Sequence, residues 1–353
     1  MPSELDYREV DRRFFDRHLC DFLPARMLDV HMHVHRQEDV PPLTQELAAA
    51  NWATAVSHPE YLAHDAEEDY AKLFPGSEVS RLQFGSVVRG TNIEATNGYS
   101  AEIADRRRVW ALAVLDPTWS ADRLHETLVA GKFNGVKPYW SLVPDAQEGE
   151  VRLDDMIALH QLEVLDALGL IAIIHVPGPE RIRDAHTRQA LRRWCRQYRN
   201  ATFVVAHLGR AYCMPFAEAS FADLASIDGL LFDCSAVLNP HVFELAFNTI
   251  GPQRIMWGTD FPVLARMRGY RVWESEKYRN VVSGDYPWNT DRQPPEVEAE
   301  YTYFVYEALK AMREGAECAG LSTTDLEDVF FNAAHRLLAG DSQGNDERLS
   351  PEE

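Results

Sequence analysis

LDVHMHVH, residues 28–35, is the stretch that decides the fold, because it reads as a buried β-strand that carries histidines. Its apolar residues are interrupted at alternate positions by His31 and His33. Side chains at alternate positions of a strand point to the same face, so we expect the two imidazoles to lie side by side. Paired neutral imidazoles suit Zn²⁺ or another borderline transition metal. The stretch therefore predicts a first strand with a metal-binding pair at its carboxyl end.

Outward from this strand, short apolar runs alternate with longer segments of helical period. Continuous apolar strands are typical of a parallel sheet that is buried on both faces, and eight strand–helix units are what a closed (β/α)₈ barrel requires. An open doubly wound sheet is the alternative, but no GxGxxG or P-loop follows any run. We predict an α/β TIM barrel. The eight predicted strands are Met27–Val34, Leu82–Val88, Val109–Leu115, Phe133–Pro138, Leu170–His175, Thr202–His207, Leu230–Ser235 and Arg254–Thr259, and two predicted helices, Glu296–Glu314 and Thr324–Ala339, follow them.

Three segments fall outside the eight units. Residues 1–26 predict an amphipathic N-terminal helix that covers the barrel floor, and residues 42–80 predict a helical insertion after the first strand. Residues 264–296 form a long aromatic insertion after the eighth strand, which we interpret as a lid or, alternatively, as a surface or oligomer contact. We expect one domain over residues 1–340 and a disordered polar tail over residues 341–353.

Composition narrows the class of protein. The chain has 353 residues with 35 basic and 55 acidic side chains, a formal net charge of −20. Nucleic-acid and anionic-membrane surfaces need clustered cations, so this balance argues against both partners. The five cysteines include no CxxC pair, the amino terminus lacks the apolar run of a signal peptide, and no segment has the apolar length of a membrane span. We therefore expect a cytoplasmic protein whose partner is a small molecule.

Polar residues close several of the other apolar runs. LIAIIH ends in His175, TFVVAH ends in His207 and RIMWGTD ends in Asp260. The carboxyl ends of barrel strands form the mouth where TIM-barrel active sites are built. A buried polar group without a partner is costly, so the convergence of these side chains favours a shared metal ion. The alternative is that they are separate core histidines, each with its own hydrogen bond.

The set of motifs resembles the amidohydrolase superfamily, in its amidohydrolase-related branch, over roughly residues 27–340. The motifs are LDVHMH, GVKPYW, AIIHVPG, VVAHLGR, MWGTDFP and FFNAAHRLL. That branch includes aminocarboxymuconate-semialdehyde decarboxylase, aromatic acid decarboxylases, and lactone or amide hydrolases. The resemblance implies one divalent ion, zinc first with manganese or iron as alternatives, on His31, His33, His175 and Asp260. It also implies that His207 acts as a general base or an electrostatic stabiliser. We expect Asp260 both to bind the metal and to orient the attacking water.

Lys137 in GVKPYW leaves a second possibility open. Members of the superfamily with two metal ions use a carboxylated lysine at such a position as a bridge, and His207 would then be a ligand. We favour one ion, with Lys137 binding a substrate carboxylate, over a second ion bridged by carboxylated Lys137. Arg89, Arg210 and Tyr139 are further candidate substrate contacts at the mouth. Solvated or salt-bridged arginines and a packed tyrosine are the alternatives.

The leading functional prediction is hydrolysis of a small amide, lactone or related carbonyl compound that carries a carboxylate. Non-oxidative decarboxylation of an aromatic or unsaturated acid is the alternative. Many similar decarboxylases carry ExH rather than HxH in the first strand, which favours hydrolysis, although the aminocarboxymuconate type keeps HxH. A non-catalytic barrel should lack a metal ligand, and none is missing. We also expect a homodimer, as is frequent in the family.

Overall fold

The eight predicted parallel strands form a single sheet that closes into a barrel. The computed structural model describes residues 5–50, 52–57, 59–147 and 149–339. Each barrel strand pairs in parallel with the next one along the chain. The barrel closes where Val30 N–H donates to the carbonyl of Trp257 (3.1 Å) and Asp260 N–H donates to the carbonyl of His31 (2.7 Å). The predicted TIM barrel is confirmed. The barrel strands are β1 (Arg26–His33), β2 (Glu78–Phe84), β3 (Val109–Val114), β4 (Gly135–Lys137), β5 (Ile171–Ile174), β6 (Thr202–Val205), β7 (Leu231–Asp233) and β8 (Ile255–Met256).

Helices surround the sheet and fill the connections between its strands. They are α1 (Glu9–His18), α2 (Gln45–Ala50), α3 (Trp52–Ser57), α4 (Ala63–Leu73), α5 (Ile93–Glu102), α6 (Ala121–Gly131), α7 (Leu153–Met156), α8 (Leu159–Leu168), α9 (Ala185–Gln197), α10 (His207–Arg210), α11 (Met214–Glu218), α12 (Phe221–Ala225), α13 (Pro240–Thr249), α14 (Val263–Arg266), α15 (Pro295–Glu298), α16 (Phe304–Ala319) and α17 (Thr323–Glu327). Helix α17 continues through a π-helical turn at Asp328–Asn332 and a last helical stretch over residues 333–339. In the described part of the chain, no helix combines the length and apolar character that crossing a membrane requires.

The barrel floor is closed by the end of the chain rather than by its beginning. Ala333, Ala334 and Leu338 belong to the same buried cluster as the barrel-interior residues of the strands. The expectation that residues 1–26 cover the floor is therefore corrected. Helix α1 lies instead along α16, where Phe15 contacts Tyr306 (ring centroids 6.0 Å apart).

Two other boundaries differ from the sequence prediction. Strand β2 begins at Glu78 rather than Leu82, because its first half contains polar residues that are nevertheless buried, such as Arg81. The helix predicted over Glu296–Glu314 is found as α16, which starts at Phe304. Residues 42–80 contain the predicted helices α2, α3 and α4. The predicted tail, 341–353, lies outside the described residues.

The insertion after β8 contains a hairpin that the sequence analysis did not foresee. Strands β9 (Gly269–Glu274) and β10 (Lys277–Val282) pair antiparallel, with Glu274 opposite Lys277 at the turn. The tip of this hairpin is held to the loop after β5 by an ion pair between Arg183 and Glu276 (2.5 Å). The insertion therefore stands as an ordered flap beside the mouth of the barrel.

Candidate metal centre

The four predicted metal ligands and the predicted general base line one cavity at the carboxyl ends of the strands: His31, His33, His175 and Asp260, with His207. The first two belong to β1, and the others follow β5, β6 and β8. Because parallel barrel strands present their carboxyl ends at the same mouth, residues far apart in sequence meet there. The tightest group is His31, His207 and Asp260, whose potential ligand atoms all lie within 4.8 Å of one another.

The distance from each histidine of β1 to Asp260 fits a shared divalent ion. Nε2 of His31 and Nε2 of His33 lie 3.7 and 3.6 Å from Oδ1 of Asp260. Ligands held about 2.1 Å from a tetrahedral Zn²⁺ are separated from one another by roughly 3.4 Å, close to these distances. Both imidazoles thus turn toward the same carboxylate.

His175 occupies the neighbouring wall of the cavity. Its ring centroid lies 4.5 Å from that of Tyr139 and 5.1 Å from that of His207. Burial, reinforced by the nearby charge of Arg210, holds the pKa of His175 well below its ordinary value. The imidazole is thus neutral at physiological pH, as coordination requires. His175 does not belong to the tightest donor group, whereas His207, for which we predicted proton transfer, does.

His207 is fixed by an unusual backbone and by the loop after β7. Its φ is +56°, and Leu208, Gly209 and Arg210 also lie in the left-handed region, so the segment α10 is a left-handed turn rather than a right-handed helix. Non-glycine residues rarely adopt this conformation and do so mostly where function imposes it. Nδ1 of His207 lies 3.0 Å from the carbonyl oxygen of Ser235, which can only accept a hydrogen bond. Nδ1 therefore carries the proton, and Nε2 is left with a free electron pair.

His31 is held in the same tautomer by a residue that the sequence analysis missed. Nδ1 of His31 lies 2.8 Å from Oδ2 of the fully buried Asp233. Burial by itself raises the pKa of Asp233, but His31, His207 and Lys137 outweigh burial and hold this pKa well below its ordinary value. The ionised carboxylate accepts the Nδ1 proton, so Nε2 of His31 is the atom available to a metal. The missed signal was the same one that marked His175: Asp233 is a polar residue at the end of an apolar run.

Asp29 is a second missed positioning group, inside the deciding stretch itself. Its Oδ1 accepts hydrogen bonds from the backbone N–H groups of His31 (2.9 Å) and Thr259 (3.0 Å). Its Oδ2 accepts one from the hydroxyl of Tyr70 (2.7 Å). Burial raises the pKa of Asp29 to about 6. The side chain joins β1 to the residues after β8, and so sets the separation of His31 from Asp260.

The predicted substrate contacts separate into two groups. Arg210 and Tyr139 line the cavity, and Arg210 also donates to the carbonyl of Val176 (3.0 Å). Arg89 is not among the described residues that line the cavity, and its guanidinium donates to the carbonyl of Ala146 (2.7 Å). Its role as a substrate contact stays a prediction, without support from this geometry.

Lys137 lies beneath the cavity rather than in its wall. The side chain is fully buried, and Nζ lies 3.2 Å from Nε2 of His31 and 4.6 Å from the ring centroid of Phe84. Burial lowers the pKa of Lys137 to about 8, against the opposing influence of Asp233 and Asp260. Lys137 therefore lies next to the nitrogen of His31 that would bind a metal ion.

The hairpin supplies one side of the mouth. Tyr278 of β10 lines the cavity together with Tyr212, and the two rings meet edge to face with centroids 5.3 Å apart. Arg271 of β9 lies over the Tyr278 ring (4.3 Å) and donates to the carbonyl of Ala236 (3.0 Å). An arginine over an aromatic face and a hydrogen bond to the loop after β7 thus hold the flap against the barrel.

Solved structures with this fold include several enzymes. An amidohydrolase from Burkholderia multivorans with bound zinc is 14% identical with a TM-score of 0.54, covering 89% of this chain and 99% of that one. A probable 2-pyrone-4,6-dicarboxylic acid hydrolase from Acinetobacter baumannii, with citric acid bound, is 15% identical (TM-score 0.54; 89% and 99% covered). A 5-carboxyvanillate decarboxylase from Novosphingobium aromaticivorans, complexed with manganese and 4-hydroxy-3-methoxy-5-nitrobenzoic acid, is 12% identical (TM-score 0.56; 89% and 96% covered). At such identities the likeness shows the fold.

A comparison with functionally curated proteins found no match. The sequence profile of one family, described as amidohydrolase, matches residues 28–339, which span the barrel from β1 to the last helix. The match includes all five donors of the cavity. This chain belongs to the amidohydrolase family.

Proposed function

We propose that the protein is a metal-dependent hydrolase of a small amide, lactone or related carbonyl compound that carries a carboxylate. The observation that carries this proposal is that Nε2 of His31 and Nε2 of His33 each lie 3.6–3.7 Å from Oδ1 of Asp260, a separation close to that of two ligands on one divalent ion. A bound divalent ion would polarise a substrate oxygen and acidify a water molecule. Three imidazoles and one carboxylate suit zinc, with manganese or iron as alternatives.

The proposed ligands are His31, His33, His175 and Asp260. Their donor atoms fit this role because Nε2 of His31 is unprotonated and because burial keeps His175 neutral. The carboxylate of Asp260 is close to both histidines of β1. Burying several ionisable groups together costs free energy, and apolar side chains at these positions would stabilise the fold more. The convergence of these groups at the mouth of the barrel therefore favours a functional role over a structural one.

His207 is the group that we propose moves the proton. Its Nε2 bears a free electron pair and lies in the same compact group as Asp260. Burial is the main reason that the pKa of His207 lies below its ordinary value, although Asp260 and Asp233 act in the opposite direction. A neutral imidazole at this point can take a proton from an attacking water and return it to a leaving group.

The substrate end of the cavity is defined by Arg210, Tyr139 and the tyrosine of the flap. A guanidinium that lines the cavity can bind a carboxylate in a bidentate manner. The aromatic side chains offer flat apolar faces on either side. The likeness to enzymes whose structures hold citric acid or a nitrobenzoic acid is consistent with a small carboxylate ligand.

Decarboxylation is the second candidate, since the solved structures of this fold include a 5-carboxyvanillate decarboxylase and a 2,6-dihydroxybenzoate decarboxylase. The test is to reconstitute the stripped protein with zinc or manganese and to assay two matched substrate panels. One panel holds lactones and amides with a carboxylate, and the other holds hydroxylated aromatic carboxylic acids. We expect ring-opened or deamidated products by NMR without release of CO₂. Release of CO₂ from the second panel, with the first panel unchanged, would assign the protein to the decarboxylases.

A further inference from the structure

The buried carboxylate of Asp233 connects two histidines of the site that come from different strands. Its Oδ2 accepts from Nδ1 of His31 (2.8 Å), and its Oδ1 accepts from the backbone N–H of His207 (3.0 Å). Oδ1 also accepts from the backbone N–H of Ser235 (3.1 Å) and from the Ser235 hydroxyl (2.5 Å). All four partners are donors, so the site calls for a group that only accepts.

The Ser235 hydroxyl extends this arrangement to the ring of His207. Because the hydroxyl gives its proton to Asp233, its oxygen can accept from Nδ1 of His207, which lies 2.9 Å away. The Ser235 carbonyl receives the same proton at 3.0 Å. The carboxylate thus determines which nitrogen carries the proton in His31, and it orients the Ser235 hydroxyl so that this group reinforces the tautomer that the Ser235 carbonyl sets in His207.

We propose that Asp233 is a positioning residue that fixes His31 in the tautomer whose Nε2 is unprotonated and holds the backbone of His207, and so prepares the site for a divalent ion. The inference rests on the proposed function in that His31 is taken as a metal ligand. Partners that donate or accept at the outer nitrogen of a ligating histidine set its tautomer and orientation, and their loss weakens metal affinity by about 10- to 100-fold.

The substitution Asp233→Asn tests this role with little change in volume. An amide has one accepting oxygen, so either its NH₂ group faces the donors of His207 and Ser235, or it faces Nδ1 of His31. In the second case His31 must accept at Nδ1 and carry its proton on Nε2, the wrong nitrogen for coordination. Either outcome disturbs a site histidine.

A matched control exists in another buried carboxylate. Asp11 is also fully buried and accepts from Arg268 and Thr302, remote from the cavity. Asp11→Asn should lower the thermal midpoint of unfolding, because it also removes a buried carboxylate. It should leave the candidate metal centre intact. The comparison of the two variants therefore separates a positioning role from general loss of stability.

The experiment measures two quantities. Zinc affinity is determined by competition with a chromophoric chelator for the full-length wild type, D233N and D11N. Histidine tautomers are determined by long-range ¹H–¹⁵N NMR on the metal-free protein labelled with ¹⁵N-histidine, with the His31 signals identified by their loss in His31→Gln. We expect the dissociation constant of D233N for zinc to be at least tenfold above wild type, D11N to be within threefold, and wild-type His31 to be protonated on Nδ1.

An unchanged zinc affinity in folded D233N, or a wild-type His31 protonated on Nε2, would overturn the inference. A wild-type protein that binds no zinc would contradict the proposed function instead, and the tautomer measurement, which needs no metal, would still decide the role of Asp233. Should D233N fail to fold, the tautomer of His31 in Lys137→Met decides, because that variant lacks the ammonium that also faces Nε2. Protonation on Nδ1 in that variant supports the role of Asp233, and protonation on Nε2 overturns it.

Discussion

Nε2 of His33 lies 3.6 Å from Oδ1 of Asp260, although these residues belong to the first and last strand–helix units of the barrel. The contact exists because β1 and the residues after β8 close the barrel, with Asp260 N–H donating to the carbonyl of His31 (2.7 Å). Closure of the sheet therefore builds the candidate metal centre. Substitutions at this seam, where β1 meets the residues after β8, should weaken metal binding.

The first prediction separates the roles of His175 and His207. His175→Gln should lower the zinc content of the reconstituted protein well below one ion per chain, because a ligand is lost. His207→Gln should keep one ion per chain but reduce turnover by about 10²- to 10⁴-fold, the range expected for a lost general base. Metal content by mass spectrometry and the rate of product formation check both statements. Loss of the ion from the His207 variant, with retention in the His175 variant, would exchange the two roles.

The second prediction concerns Lys137. Its ammonium lies 3.2 Å from Nε2 of His31, and its pKa of about 8 leaves it mostly charged at pH 7. Lys137→Met should therefore bind zinc at least as tightly as wild type, because a positive charge beside the ion is removed. Wild-type protein incubated with bicarbonate and excess zinc should still hold one ion. Uptake of two ions by wild type and of one by Lys137→Met would show instead that a carboxylated lysine bridges a pair.

The third prediction tests the seam between β1 and β8 at Gly258. A Cβ at this position would lie 2.9 Å from Cβ of His31 and 3.2 Å from Cβ of Ser235, so one of them must move. Gly258→Ala should weaken zinc binding by about tenfold, since such sites tolerate displacements of only about 0.5 Å. The control is Gly98→Ala in α5, where a Cβ would meet nothing within 4 Å. That control should keep the affinity and gain up to about 1 kcal/mol of stability from better helix propensity. Equal affinities in both variants would contradict the account of the seam.

The fourth prediction is a dependence of stability on pH at Asp69 of α4. This carboxylate is 6% exposed and accepts from the hydroxyl of Tyr61 (2.8 Å), and burial raises its pKa from 3.8 to about 6. Because the folded state disfavours the charged carboxylate, ionisation of Asp69 lowers the free energy of unfolding. This penalty is complete above about pH 6 and absent below about pH 3.8. Asp69→Asn, which can still accept from Tyr61, should gain about 3 kcal/mol over wild type at pH 7.5.

That gain should shrink as the pH falls from 6 toward 4, and denaturant unfolding at several pH values measures it. The control variant Glu163→Gln, at an exposed position of α8, should change stability by less than about 0.5 kcal/mol throughout. A gain at Asp69→Asn that does not vary with pH would show that ionisation of this group plays no part.

The sequence was sufficient to predict the barrel, and which polar side chains meet at its mouth, because both depend on local signals. Alternation in LDVHMHVH places His31 and His33 on one face, and apolar runs that end in His175, His207 and Asp260 mark the mouth. Asp233 carries the same signal at the end of β7. Its role could not be deduced, however, because the hydrogen bond from His31 to Asp233 forms only when the barrel closes.

The hairpin in residues 264–296 could not be predicted for a different reason. Its two-residue turn, Ser275–Glu276, contains neither glycine nor asparagine, although Ser275 adopts φ +56°. The segment that closes the floor of the barrel was misassigned, because an amphipathic pattern shows that a helix packs against the protein but not which surface it packs against. Ala333 and Ala334 reach the barrel interior by tertiary packing alone.

The central claim is that side chains from β1, β5 and β8 hold one divalent cation. A crystal structure of the protein grown with zinc, with anomalous data collected on both sides of the zinc edge, tests it most directly. The account predicts a single anomalous peak within about 2.0–2.3 Å of His31, His33, His175 and Asp260. A cavity without an anomalous peak, or a peak bound only at surface groups, would contradict it.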